Sequence, residues 1–206
     1  MVTEVSYDAI GRVINYWFGD IGSGFDVQGQ NKLWFGGGDS ADEDIRQKFG
    51  ELVDSALAGE LLLWTDSILG SLALVILLDQ FPRNIYRGSA QAFAGDKTAV
   101  EIVKNSIKQQ LDKQLSAIQR SFFYMPLEHS ENFSDQNVCV ECFEQLLQEV
   151  PDEGKKIIQS NLEFALKHRD IIAQFGRFPH RNKALARESS AAEIGYLNSG
   201  GARFGQ

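Results

Sequence analysis

The chain has 206 residues, 43% of them hydrophobic, with 28 acids against 20 Lys and Arg and a formal net charge of −8. That length and apolar content suit one compact domain, residues 1–206, built around a single core. The acidic balance speaks against a nucleic-acid partner, which calls for a basic footprint over much of the surface.

Taken in chain order, the residues read as helices. Ser6 is placed to cap a first helix in which Ile10, Val13, Ile14, Trp17 and Phe18 recur at the three-and-four spacing of one face, with Gly19 as its stop. Residues 20–39 read as a Gly-rich loop pinned by Trp34 and Phe35. Ser40 to Glu43 has the form of a capping box for a second helix, whose stripe is Ile45, Phe49, Leu52, Val53, Ala56 and Leu57 and whose end is Gly59. A third helix from about Asp66 is apolar all round through Leu78, the pattern of a buried central helix, and its exit is Asp79-Gln80-Phe81-Pro82. That apolar run, interrupted by Gly70 and Ser71, falls short of a bilayer span, and no leader pattern opens the chain, so a cytoplasmic protein without a membrane partner is expected.

A fourth helix is predicted from Asp96 to Leu111, and a shorter fifth from Ser116 to Tyr124, stopped by Met125-Pro126. Leu127 to Glu131 then reads as a polar turn, and Ser134 starts a helix with Val138, Cys142, Leu146 and Leu147 inward. The thiols of Cys139-Val140-Glu141-Cys142 have neither a βαβ context nor a second ligand pair, so they read as reduced, half-buried small hydrophobes. Pro151 suits the first turn of a long helix to about Gln174, and Ser190 to Glu193 is a capping box for a last short one before Gly200-Gly201. No segment alternates with a period of two. The fold class is therefore all-α, an antiparallel bundle or stack of helical hairpins in a single domain.

Charge is unevenly spread along this acidic chain. Residues 167–187 hold six Lys or Arg, one acid and two of the three histidines, so the window carries +5 and the remainder −13. Within it, Phe175-Gly176-Arg177-Phe178-Pro179-His180-Arg181-Asn182 sets cationic and proton-exchanging side chains beside aromatics and a backbone fixed by Gly and Pro. A shorter echo, Asp79-Gln80-Phe81-Pro82-Arg83-Asn84, lies about a hundred residues earlier. Both have Phe-Pro followed by Arg and Asn at the end of an apolar run, where a rigid element hands the chain to an exposed turn.

Asp79 to Arg87, Phe123-Tyr124-Met125-Pro126-Leu127-Glu128-His129-Ser130-Glu131, and Lys167-His168-Arg169 through Phe175–Asn182 to Arg187-Glu188 resemble the three signature blocks of the bacterial domain-of-unknown-function family 924. Trp17-Phe18-Gly19 and Trp34-Phe35 fit the same pattern, and the likeness covers most of the chain. The resemblance implies a tetratricopeptide-like helical fold and carries no assigned activity. One position departs from it: Ala186 precedes Arg187 where the family pattern leads one to expect Gly.

The candidate site residues follow from chemistry. Arg83, Arg87, Arg177, Arg181 and Arg187 offer planar, bidentate donors to a carboxylate or phosphate, with Asn84 and Asn182 beside them and Glu131 among the acids at hand. His129, His168 and His180 are the candidates for proton exchange, with partial burial tuning a neutral imidazole. His168 shares a helical line with Ile157, Asn161, Phe164, Ile171 and Phe175, which equally describes a satisfied core histidine. Three histidines and Glu131 are also metal-ligand types, but the arginines beside them repel a divalent ion, and neither HxxxH nor HExxH occurs, so no metal is expected. No nucleophile elbow, phosphate loop or dinucleotide fingerprint is present, and no cofactor is expected.

Three readings stay open on these residues. One is a pocket for a small anionic ligand with His acid–base chemistry. Another is a helical interaction module whose groove accepts an acidic peptide. The third is a structural lattice in which the arginines pair with Asp79, Glu128, Glu131, Asp170 and Glu188.

Overall fold

A computed structural model describes residues 4–19, 24–36 and 38–204, and among them there are helices and turns and no strand. The first half comprises α1 (Glu4–Phe18), α2 (Gln28–Phe35), α3 (Gly38–Leu57), α4 (Ile68–Val75) and α5 (Phe81–Ile85). The second comprises α6 (Asp96–Lys108), α7 (Ala117–His129), α8 (Phe133–Glu149), α9 (Asp152–Phe175) and, after a 3-10 turn at Pro179–Arg181, α10 (Ala191–Asn198). Turns of three residues or fewer join α7 to α8 and α8 to α9, so these neighbours pack as antiparallel hairpins.

One core runs through both halves. Trp17 meets Phe81 and Phe122 edge-on, with ring centres 5.5 and 5.6 Å apart, which ties α1 to α5 and α7. A small second cluster of Ile171, Ile172 and Phe178 forms where α9 ends, with Phe175, Tyr196, Ala202 and Phe204 packed against it.

The buried central helix is present, but Asp79-Gln80-Phe81-Pro82 lies inside it and not at its exit. Ser67 caps α4 by accepting the Gly70 amide, and Ile76–Gln80 is a π turn that carries the helical run on into α5. The Phe81 amide bonds to the carbonyl of Ile76, five residues back, so the register widens just before Pro82, which lacks the amide an α-helix needs there. Gly95 lies against the Leu78 carbonyl so closely that a Cβ there would come within 2.2 Å of it. By length and composition the 18 residues Ile68–Ile85, mean hydropathy 1.3, could cross a membrane, yet 78% of the segment is buried inside this protein's own core.

Several boundaries differ from the sequence expectation. Ser6 lies inside α1, and Ser40 lies in the first turn of α3, which begins at Gly38. The expected loop 20–39 contains α2, whose polar start, Gln28 to Lys32, gives no apolar period to read; residues 20–23 and 37 lie outside the described residues. Trp34 does pin this segment, its Nε1 donating to the Trp17 carbonyl at 2.8 Å, whereas Phe35 is exposed. α6 stops at Lys108 and a separate 3-10 turn holds Leu111–Gln114. α7 continues through Pro126 to His129, because burial of Phe122, Phe123 and Leu127 outweighs the cost of an internal proline, so Glu128 and His129 are helical. Asn132 caps α8 where Ser134 was expected, and Pro151 is the residue before α9 rather than in its first turn. The Ser190 capping box forms as predicted.

Two smaller corrections bear on side chains. In α9 the buried residues include Ile158, Leu162, Ala165, His168, Ile171 and Ile172, so His168 and Ile171 of the expected line face in and Ile157 is partly buried against the core, but Phe164 is exposed. Cys139 and Cys142 are both buried rather than half-buried. Burial pushes the Cys142 thiol up to about 12, and that of Cys139 also rises well above its ordinary value, as for small hydrophobes and not for reactive thiols.

Candidate functional site

The two Phe-Pro-Arg-Asn echoes, far apart in the chain, meet on one carboxylate. Asp96 opens α6, and Arg83 of α5 grips it with both terminal nitrogens, at 2.9 and 3.0 Å. Arg181, from the 3-10 turn after α9, reaches the same Asp96 with a single longer bond of 3.3 Å. The shared carboxylate therefore joins the π-widened central helix to the C-terminal block.

Asp79, fully buried in the π turn, holds His129. The His129 Nδ1 lies 2.8 and 3.0 Å from the two Asp79 oxygens, Gln80 Nε2 donates to the carboxylate at 2.6 Å, and Arg83 Nη1 stands 3.1 Å away. Burial works against this carboxylate, but the attraction of Arg83 and His129 outweighs it and holds the pKa well below the usual range. Burial first, then the nearby Arg83 charge, lowers the His129 pKa, leaving a neutral ring. With Nδ1 donating to Asp79, Nε2 carries the lone pair, the arrangement of an oriented general base.

His168 and Glu128 form an adjoining pair. The His168 Nδ1 is 3.0 Å from Glu128 Oε1 and 2.9 Å from the Phe164 carbonyl. Burial, aided by the Asp79 charge, pushes Glu128 up to about 8, while burial holds His168 well below its ordinary value. At neutral pH this pair is therefore largely an acid beside a neutral imidazole.

Most of the other arginines have acidic partners. Arg187 donates to both Glu131 oxygens, at 2.6 and 2.9 Å, and to Asn182 Oδ1 at 3.0 Å, and Glu131 also accepts the Phe178 amide at 2.8 Å. Arg177 turns away to Glu193 of α10, at 2.7 and 2.9 Å. Asn84 and Arg87 turn instead to Asp42 of α3, at 2.7 Å for Asn84 and 3.0 and 3.1 Å for Arg87. The structure thus brings His129, His168, His180, Arg83, Arg181, Glu131, Asn182 and Arg187 together and sends Asn84, Arg87 and Arg177 elsewhere.

Arg181 is different. It is 5% exposed, and its guanidinium is sandwiched 4.4 Å from the Phe178 ring centre and 4.7 Å from that of Phe93. Beyond its one 3.3 Å bond to Asp96 no hydrogen bond engages it among the described residues, and its buried Nε has no partner. Burial and the Arg83 charge lower its pKa to about 10, so it stays a cation at neutral pH. Next to it, the buried His180 Nδ1 also lacks a partner, and burial with the Arg181 charge lowers that ring to about 3.

Glu128, His129 and His168 place potential ligand atoms within 4.8 Å of one another. They fit a metal poorly, because Glu128 and His168 already engage each other and Arg181 lies close enough to depress both imidazoles. The same field opposes a divalent cation.

Sequence reasoning did not single out Asp96, Phe93 or Phe204. Asp96 looks in the sequence like an ordinary acidic helix start. Phe204 stacks on the His168 ring, with centres 3.6 Å apart and planes at 19°, and nothing in its local sequence foretells that contact.

The chain matches the family described as bacterial protein of unknown function (DUF924) over residues 13–201, and it belongs to that family. It is also similar to a solved protein of unknown function from Agrobacterium tumefaciens, with 31% identity and a TM-score of 0.78, covering 94% of this chain and 99% of the other. No curated protein matches it.

Proposed function

We propose that the protein binds a small anion, a phosphate or a carboxylate, at Arg181, with His129 and His180 placed to exchange a proton with it. The observation that carries this reading is a buried guanidinium with a bare Nε and one long bond, in a cluster whose other arginines are engaged. Leaving a buried donor unpaired costs about 1–3 kcal/mol, more for a charged group, which an incoming anion recovers. Two neutral imidazoles beside that cation supply a base, and a bound anion raises their affinity for a proton.

A purely structural role for the cluster is the second reading, favoured by the closed bidentate pairs at Arg83, Arg177 and Arg187. The acidic-peptide reading gains less support. A groove of about 660 Å³ between α1 and the start of α4 is walled by Ile10, Ile14, Ile68 and Leu69, and its charged residue is Asp66, which repels an acidic guest.

Thermal unfolding against inorganic phosphate, sulfate and acetate, on the parent and on Arg181→Gln, separates the two. Anion binding predicts a saturable rise for the parent, about 2.7 kcal/mol at a hundred times Kd, that is absent in the variant. A parent that gains nothing from any of the three anions leaves the structural reading in possession.

A further inference from the structure

Phe204 fills a seat shaped for a flat ring. Its face lies 3.6 Å from that of His168 at 19°, while Phe178 and His180 stand edge-on around it at 6.4 Å and 83° and at 5.8 Å and 71°. A stacking floor with edge-on walls discriminates planar rings from other apolar groups, because the ring quadrupoles favour these offsets and angles. The floor is a neutral imidazole held in place by its own Nδ1 contacts, so the seat is fixed independently of its occupant.

The occupant is the less settled partner. Phe204 has φ +50°, a left-handed conformation that disfavours a residue with a Cβ. Its segment is tied down through Tyr196, whose carbonyl takes the Gly201 amide and whose hydroxyl takes the Ala202 amide, each at 2.9 Å. Gly201 is packed so tightly on the Tyr196 ring that a Cβ would approach within 2.4 Å, whereas beyond Ala202 no backbone amide bond is formed among the described residues. The segment is anchored at Gly201–Ala202, and past that point a long 3.4 Å bond from Arg203 Nη2 to the Leu197 carbonyl and the Phe204 ring contacts hold it.

Phe178 is the wall common to this seat and to Arg181, whose guanidinium lies 4.4 Å over its ring centre. From this juxtaposition we infer that the site takes an aryl or heteroaryl anion, its ring seated where Phe204 now sits and its carboxylate or phosphate on Arg181, with Phe204 as an intramolecular competitor. This rests on the anion reading above and names its substrate class. It also explains how the buried Arg181 admits a ligand: the guest replaces a side chain of the same shape.

Calorimetric titration of the full chain tests it, with phenyl phosphate and benzoate as ring-bearing probes and inorganic phosphate and acetate as their ring-free counterparts. For Phe204→Ala the expected result is about a tenfold gain in affinity for both ring-bearing probes, as a mostly occupied seat is freed, with the ring-free probes unchanged. Phe204→Leu, which keeps apolar bulk without a planar face, is expected to show a smaller gain in the same direction and carries the test if the alanine variant folds poorly. Equal affinities for ring-bearing and ring-free probes in every variant would overturn the ring seat while leaving Arg181-dependent anion binding intact. Absence of binding by all four probes in every variant overturns both.

Discussion

Arg83 and Arg181 are both buried, share one carboxylate and the Phe93 ring, and differ in how their donors are met. Arg83 is firmly paired: both terminal nitrogens grip Asp96, and Nη1 also reaches the Asp79 carbonyl at 2.7 Å. Arg181 has a 3.3 Å bond, two aromatic faces and a bare Nε. Two guanidiniums from echoing sequence motifs are thus held in different ways. A buried charge gripped at both terminal nitrogens by a carboxylate is part of the frame, and one with a single long bond contributes less to it.

The comparison breaks most visibly at Arg83. Arg83→Gln leaves Asp79 and Asp96 short of their main cation in the core, and removing one arm of a buried ion pair costs about 3–5 kcal/mol, to be read from the denaturant midpoint. A loss near zero would mean that the two arginines are equivalent and that the bidentate grip of Arg83 carries no weight.

The acids of the cluster sharpen the contrast. Asp79 lies beside Arg83 and is held below the carboxylate range; Glu128 has no arginine partner among the described residues, and burial pushes it up to about 8. In the unfolded chain Glu128 releases its proton near pH 4.3, and in the folded one not until about 8, so its contribution is full at low pH and is lost as pH rises across that window. Glu128→Gln, which keeps the acceptor for His168 Nδ1, is expected to remove that decline and to stabilise the protein at pH 8 by about 4 kcal/mol. Parallel stability profiles for variant and parent between pH 5 and 8 would show that Glu128 is ionised in the folded state.

How much of this was legible depends on whether the cause is local. The all-helical class, the buried central helix and the Ser190 cap follow from periodicity and capping, which neighbouring residues determine. The π turn was hidden because Asp79-Gln80-Phe81-Pro82 has the composition of a helix end, and only packing against Gly95 and Asp96 lets the helix pass through it. The five arginines were visible as residue types, but which ones are satisfied depends on Asp42, Asp96, Glu131 and Glu193, all distant in sequence. Phe204 was invisible for the same reason: its meaning lies in the His168 ring, 36 residues away.

Ala186 gives a smaller test on the Arg181 side. It has φ +52°, the left-handed region where Gly carries no penalty, which accounts for the Gly expected from the family pattern. The Arg187 amide closes this turn on the Asn182 carbonyl at 2.8 Å and so aims the Arg187 side chain at Glu131. Ala186→Gly is expected to raise stability by about 1 kcal/mol, since a left-handed non-Gly residue costs about 1–2 kcal/mol, partly offset by the entropy of the glycine. A thermal midpoint that falls would mean the turn depends on the alanine methyl for packing.

The smallest expected change in stability is the most telling. Arg181→Gln removes a buried charge that is costly to desolvate, together with two cation–π contacts and one long hydrogen bond, terms of about 1–2 kcal/mol that oppose one another. The variant should unfold within about 1 kcal/mol of the parent, far from the loss at Arg83, because Asp96 keeps its bidentate partner. A group that costs little to remove from a closely packed core is not there to hold the core together. If Arg181→Gln instead costs as much as Arg83→Gln, its guanidinium is one more strut, and the anion it was left free to meet is not needed to explain it.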